Sequence, residues 1–250
     1  MTASAMFAVD PQLYLSAVGR TGEIARLQAQ AQRRKSMLIF GPEGVGKTWL
    51  MGAFFSSQPL ALFVPRTQSP REILLHLVQE LDRTGRKQVA TITDAGAKST
   101  GTLKALVQRA LDQAPFLLVL DHLAGPSRVV SGLIKDLNYF DRTPVFFVAR
   151  TPHMEDIGTL QPMCARKSEC LEMKDFPPLI ALEFVRREAD RTALQAANLN
   201  EVLPSLVEWS NGNPGDLIQM VRMAHLPRYR VDGQIKAHIL YIDYRMGRRS

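Results

Sequence analysis

Apolar residues along the chain follow two alternating rhythms. Short runs that are apolar almost without interruption, Ser36–Phe40, Leu60–Val64, Phe116–Leu120, Pro144–Ala149 and Glu169–Met173, read as β-strands. A strand buried on both faces has no need to alternate, and such runs are typical of parallel sheets. Between them, Thr21–Arg34, Lys47–Ser56, Pro70–Arg83, Thr100–Gln113 and Ser127–Tyr139 carry apolar residues every three or four positions, the period of a helix with one buried face. Ser69-Pro70-Arg71-Glu72 has the chemistry of a helix start: a capping hydroxyl, proline in the first turn, then an acid. This alternation predicts an α/β fold, a central, mostly parallel five-stranded sheet flanked by helices. After Asp175-Phe176-Pro177-Pro178 the rhythm becomes purely helical, over Leu179–Thr192, Leu199–Ser210 and Pro214–Ala224. The expected organisation is an α/β core over residues 1–175, a small C-terminal helical lid over 176–226 and a further segment over 227–250. The polar stretch Gly85–Ser99, with Thr91, Thr93, Asp94 and Gly96, is expected to be a mobile loop.

Composition narrows the classes. The 250 residues are 46% hydrophobic and 22% charged, enough apolar matter to build a large core and too much for a disordered chain. The longest apolar runs are far shorter than the ~18–20 residues that span a bilayer, so no membrane helix is expected. Asp10 and Pro11 interrupt the one stretch that could resemble a leader, and a cytoplasmic location is expected. Cys164 and Cys170, five residues apart without neighbouring histidines, support neither a disulfide framework nor a metal cluster and read as small buried residues or free thiols. Charge changes the picture more. There are 31 Lys and Arg against 24 Asp and Glu, a formal net charge of +7. From residue 226 onward six cations, Arg228, Arg230, Lys236, Arg245, Arg248 and Arg249, face only Asp232 and Asp243. More than half of the excess is therefore C-terminal, which suits an acidic partner.

The most specific pattern is Gly41-Pro42-Glu43-Gly44-Val45-Gly46-Lys47-Thr48, a G-x-x-x-x-G-K-[ST] phosphate loop set between a strand and a helix, as the motif requires. Its glycines allow backbone N–H groups to point inward at phosphate oxygens, and the following helix, with Trp49 in its first turn, adds its dipole. Lys47 would reach the β- and γ-phosphates of ATP, and the Thr48 hydroxyl would ligate Mg²⁺. Asp121, ending the run Phe116–Leu120, is the expected second acid of the magnesium site. His122 follows where a carboxylate would serve better as a base, so slow hydrolysis is expected. Arg150, at the end of the Val145–Ala149 run, is a candidate γ-phosphate contact if its strand neighbours that of Asp121; a solvated strand cap is the alternative. Arg166 and Lys167 are candidates for a finger acting on a neighbouring subunit, or a solvated basic loop.

In this order the motifs resemble the AAA+ ATPases of the origin-recognition and archaeal-initiator branch and the related STAND signalling ATPases. Val18-Gly19-Arg20-Thr21-Gly22-Glu23-Ile24-Ala25-Arg26-Leu27 resembles the segment that packs near the adenine in that group, which implies a nucleotide contact for Gly19 and Arg20. Gly41–Thr48 and Leu117–Asp121 match its Walker motifs, Ala149-Arg150 its sensor-1 position, and Leu171–Pro178 its exit from the core. Ser210-Asn211-Gly212-Asn213-Pro214-Gly215 resembles the start of the lid helix that returns to the nucleotide, implying a role for Pro214, with Arg222 two turns on as the candidate sensor-2 cation. His122 departs from the family pattern, and no effector or repeat region follows the lid.

The resemblance implies an ATP/ADP-dependent switch that holds a protein partner or a homo-oligomer. The basic C-terminal segment, in which tyrosines alternate with arginines, suggests contact with duplex DNA; a packed helix with a solvated basic end is the alternative. Ile235, Ile239 and Ile242, at helical spacing, are expected to pack on the lid. A protein-binding signalling ATPase without DNA contact is the competing functional reading.

Overall fold

A computed structural model describes residues 19–84, 95–138, 142–164 and 166–247. Val18, Tyr139, Arg248, Arg249 and residues 85–94 of the expected mobile loop lie outside the described residues. The chain divides into two compact units, one comprising Met1–Pro42 and Lys47–Met173, the other Glu43–Gly46 and Lys174–Ser250.

In the first unit, strands and helices alternate as α1 (Thr21–Gln32), β1 (Met37–Phe40), α2 (Lys47–Ser56), β2 (Ala61–Val64), α3 (Pro70–Arg83), α4 (Thr100–Gln113), β3 (Leu117–Leu123), α5 (Arg128–Asn138), β4 (Val145–Ala149), α6 (Met154–Ile157) and β5 (Cys170–Glu172). The five strands form one parallel sheet in the order β2-β3-β4-β1-β5. Its central strands are buried along nearly their whole length, which is why they are written in Leu, Val, Ile and Phe with no polar alternation. Leu74, Leu77, Val107 and Ile134 bring α3, α4 and α5 into the same core. At the start of α3 the Ser69 hydroxyl accepts from Glu72 N–H at 3.3 Å, with Pro70 in the first turn, as its sequence predicts.

Two boundaries differ in an informative way. β3 runs three residues past Leu120, because its ladder with β4 resumes at Leu123↔Ala149 after a bulge. β5 is shorter than expected, and a 3₁₀ segment, Gly158–Cys164, precedes it.

The second unit holds α7 (Pro178–Arg191), α8 (Leu199–Ser210), α9 (Pro214–Ala224), a short hairpin of β6 (Arg230–Val231) and β7 (Gln234–Ile235), and α10 (Ala237–Gly247). Tyr229, Ile235, Leu240 and Tyr244 are buried in one core with Ala181, Val185, Leu206 and Leu217.

The expected packing of the three isoleucines is corrected in part. Ile235 is buried, but Ile239 and Ile242 are 46% and 55% exposed. Leu240 and Tyr244, one helical turn apart, take the inward face instead, and Tyr244 brings more apolar area than either isoleucine. Among the described residues no helix is long and apolar enough to cross a membrane.

Candidate functional site

A parallel sheet brings all of its strand C-termini to one edge, and the sequence motifs meet there. The phosphate loop leaves the end of β1 and enters α2 at Lys47. The Lys47 ammonium donates to the carbonyls of Gly41 and Pro42 at 2.7 and 2.8 Å, which holds it across the mouth of the loop. One residue on, the Thr48 hydroxyl donates to Asp121 Oδ2 at 2.9 Å. Asp121 is 1% exposed, and a carboxylate so buried must be matched by donors. Its Oδ1 accepts from the His122 backbone N–H at 2.8 Å, and His122 Nδ1 lies 3.1 Å from Oδ2.

The bulge in β3 falls at these two residues, and His122 takes the left-handed conformation with φ of +52°. Such a conformation costs a β-carbon residue on the order of 1 kcal/mol, and bulges of this kind re-aim side chains beside functional sites. The result is an imidazole 61% exposed at the sheet edge while its neighbour Asp121 stays buried. Hydrogen bonding to Asp121 raises the pKa of His122 above its ordinary value; partial burial opposes this, the Asp121 charge adds to it, and the charges of Lys47 and Arg66 oppose it.

β4 is the neighbour of β3, so Arg150 stands beside Asp121 along the sheet edge, and its carbonyl accepts from Gly41 N–H at 3.2 Å. The guanidinium is exposed. Thr151 is already engaged: its N–H and hydroxyl both donate to Asp156 Oδ2 at 2.7 Å. Arg166 and Lys167 precede β5 and thus stand at the opposite end of the strands from Lys47 and Asp121. Arg20 is 5% exposed and donates to Glu23 at 2.9 Å, just before α1, with Gly19 preceding it. Trp49 is half-buried in the first turn of α2. The Cys170 thiol donates to the Cys164 carbonyl, and burial pushes both thiols up in pKa.

The tip of the phosphate loop, Glu43–Gly46, is held within the second unit. Asn213, before α9, uses both ends of its amide: Nδ2 donates to the Glu43 carbonyl at 3.0 Å and to Asp175 Oδ1 at 2.8 Å, while Oδ1 accepts from Asp216 N–H. Gly215 N–H donates to the Gly44 carbonyl at 2.9 Å. Gly44 has φ of +78°, and a β-carbon there would meet Asn213 Oδ1 at 2.4 Å, so only glycine fits this approach. The first N–H groups of α9 are thus spent on the cap and on the loop. Pro214 is buried, and Arg222 is exposed two turns, about 10 Å, along the helix from that contact.

The sequence signature of the AAA ATPase domain matches residues 16–141, half of the chain. The chain belongs to the AAA ATPase domain family. It is an ATP-hydrolysing P-loop enzyme. No curated protein sequence matches it. Among solved structures the AAA domain fold is similar to a Walker-type ATPase of Pyrococcus abyssi (15% identity, 93% of this chain and 73% of that one, TM-score 0.66). It is also similar to the ORC1 protein of Aeropyrum pernix, solved in complex with DNA (14% identity, 92% and 65%, TM-score 0.60). A third is a STAND protein with a tetratricopeptide repeat sensor from Pyrococcus horikoshii (14% identity, 92% and 32%, TM-score 0.53). This chain therefore spans about two thirds of the ORC1 protein and one third of the STAND protein, and at these identities the likeness is one of fold.

Sequence reasoning did not single out Arg66 or the threefold use of Asn213. Arg66 had no motif around it; its signal was its place just past a strand that pairs with the strand of Asp121.

Proposed function

We propose that this AAA ATPase is a slow ATP-dependent switch whose nucleotide state regulates assembly on DNA. The slow chemistry is supported by one observation: His122 occupies the position after Asp121 and is tied to it through Nδ1. In that position an imidazole is a poorer general base for the attacking water than a well-placed carboxylate, and its exposed ring can orient water or reach the γ-phosphate region. Lys47 would bind the β- and γ-phosphates. The Thr48 hydroxyl and Asp121 carboxylate, 2.9 Å apart, are hard oxygen ligands of the kind Mg²⁺ takes, and they would hold it there. Bound, the ion would neutralise charge developing between the β- and γ-phosphates.

A switch needs ATP to favour one conformation over another. The loop tip offers a means, since Glu43 and Gly44 share hydrogen bonds with Asn213 and Gly215, so occupancy of the loop and the position of α9 act on the same atoms.

DNA contact is supported by the charge of +7, its C-terminal concentration and the exposure of Arg228, Lys236 and Arg245. Stacking by the tyrosines is not part of the reading. Tyr229 and Tyr244 are buried, Tyr241 stacks on Trp209 at 4.6 Å, and Arg230 is spent on the carbonyls of Ala224 and Gln195. Contact would be through phosphates, hence steeply salt-dependent. A second reading, a signalling ATPase that holds a protein or a further copy of itself, is favoured by the exposed Ile239, Ile242 and Met246 along one face of α10.

Duplex binding by anisotropy, with ATP, with ADP and without nucleotide across a salt series, separates the two. ATP-dependent, salt-sensitive binding that disappears in Lys47→Ala is the expected result. Absence of binding in every state refutes the DNA role and leaves the protein-partner reading.

A further inference from the structure

β2 and β3 pair in parallel with Val64 opposite Leu120. Two places past that pair stand Arg66 and His122, at the edge where the strands end and where Lys47, Thr48 and Asp121 meet. β3 lies between β2 and β4. Asp121 is therefore flanked on one side by Arg66, from the end of β2, and on the other by Arg150, from the end of β4. Both guanidiniums are exposed, and among the described residues neither has a carboxylate or carbonyl holding it. The single carboxylate of this group is already matched: Asp121 takes donors from Thr48 and from the backbone and ring of His122. Three permanent cations, Lys47, Arg66 and Arg150, thus stand with one occupied carboxylate.

An excess of unmatched guanidinium at a sheet edge fits a dense anion with several oxygens, which arginine binds through two parallel N–H donors. We infer that Arg66 contacts the terminal phosphate of a bound nucleoside triphosphate and lets the site tell triphosphate from diphosphate. The loop and, in part, Lys47 serve the β-phosphate, which ATP and ADP share, so their loss weakens both nucleotides. Arg66, two residues past the end of β2 and beside His122, serves the γ-phosphate that only the triphosphate has. The inference rests on the nucleotide-binding reading above and adds to it a specificity-determining residue that neither motif contains.

The test compares the affinities of ATP and ADP, both with Mg²⁺, for the full chain, Arg66→Ala, Arg66→Lys and Lys47→Ala. Among the described residues Arg66 is exposed and unpaired, so its removal is expected to leave the melting temperature unchanged. The expected result for Arg66→Ala is ATP affinity lowered about tenfold with ADP affinity unchanged, and an intermediate loss for Arg66→Lys, which keeps the charge without the paired donors. Equal losses for both nucleotides, or no loss for either, overturn the inference while nucleotide binding stands. A wild-type chain that binds neither nucleotide, or a Lys47→Ala variant that binds both normally, removes the underlying reading and this inference with it.

Discussion

Asn213 is the residue whose removal most directly tests how the phosphate loop is held. Its amide makes three hydrogen bonds at 5% exposure: the cap to Asp216 N–H, and the two Nδ2 bonds to Glu43 O and Asp175 Oδ1. Loss of an N-cap costs about 1 kcal/mol. A neutral bond such as that to Glu43 O contributes about 1 kcal/mol, and the bond to the Asp175 carboxylate about 2 kcal/mol. Asp175 is only half-buried, so water recovers part of the last value, and Asn213→Ala is expected to destabilise the second unit by about 3 kcal/mol. Asn213→Ser keeps the cap and loses both amide donors, an expected loss of about 2 kcal/mol. Asn213→Asp also keeps the cap but sets a second carboxylate against Asp175 and the Glu43 carbonyl, so it should do no better than alanine. The chain has two tryptophans, and in a Trp49→Phe background the fluorescence of Trp209 reports on the second unit. With a urea slope of about 2 kcal/mol per M, the Ala midpoint falls by about 1.5 M. If Asn213→Ser unfolds within about 0.5 kcal/mol of wild type, the two amide donors contribute nothing and the described hold on the loop is wrong.

Gly212, with φ of +76°, would place a β-carbon 2.1 Å from the Phe176 carbonyl oxygen, so Gly212→Ala should cost about 2–4 kcal/mol by the same urea assay, well above the cost of an ordinary exposed substitution. Leu240→Ala should cost about 2–4 kcal/mol, whereas Ile242→Gln, on the exposed face of the same helix, should stay within about 0.5 kcal/mol; similar losses for both would mean that the α10 faces are assigned wrongly. In the nucleotide-free chain, NMR titration should find the His122 pKa above its ordinary value, and Asp121→Asn should bring it below, because burial and the charges of Lys47 and Arg66 then act unopposed. Because the folded pKa is the higher one, the stability linked to this proton is fully present below the unfolded value and is lost as pH rises through the folded value.

Much of the first unit is legible in the chain. The runs around Leu38, Leu118 and Phe147 are apolar on both faces, and only burial between two layers of helices makes such runs favourable. The phosphate loop is legible because its chemistry demands glycine and lysine at set spacings. The bulge at Asp121 and His122 is not, since it arises from how β3 resumes pairing with β4 and leaves no mark in composition. Arg66 escapes for a related reason: its place beside His122 comes from the β2–β3 register, a property of two segments more than fifty residues apart. The reversal of Ile239 and Ile242 shows a further limit. On a short helix with apolar residues all round, spacing defines two candidate inward faces, and the neighbours that settle the choice come from α7, α8 and α9.

The hydrogen bond from Asn213 to Glu43 joins residues 170 apart in sequence. Contacts of such separation form late, because the chain between them must be ordered before their energy can compensate for closing so long a loop. During synthesis the strand and helix that flank the phosphate loop emerge first, and the asparagine that secures its tip follows 170 residues after Glu43. A nascent or truncated chain ending before α9 would carry the glycines and lysine of the motif without the partners of Glu43 and Gly44. Completion of the phosphate loop is in this sense a signal that synthesis has passed α9.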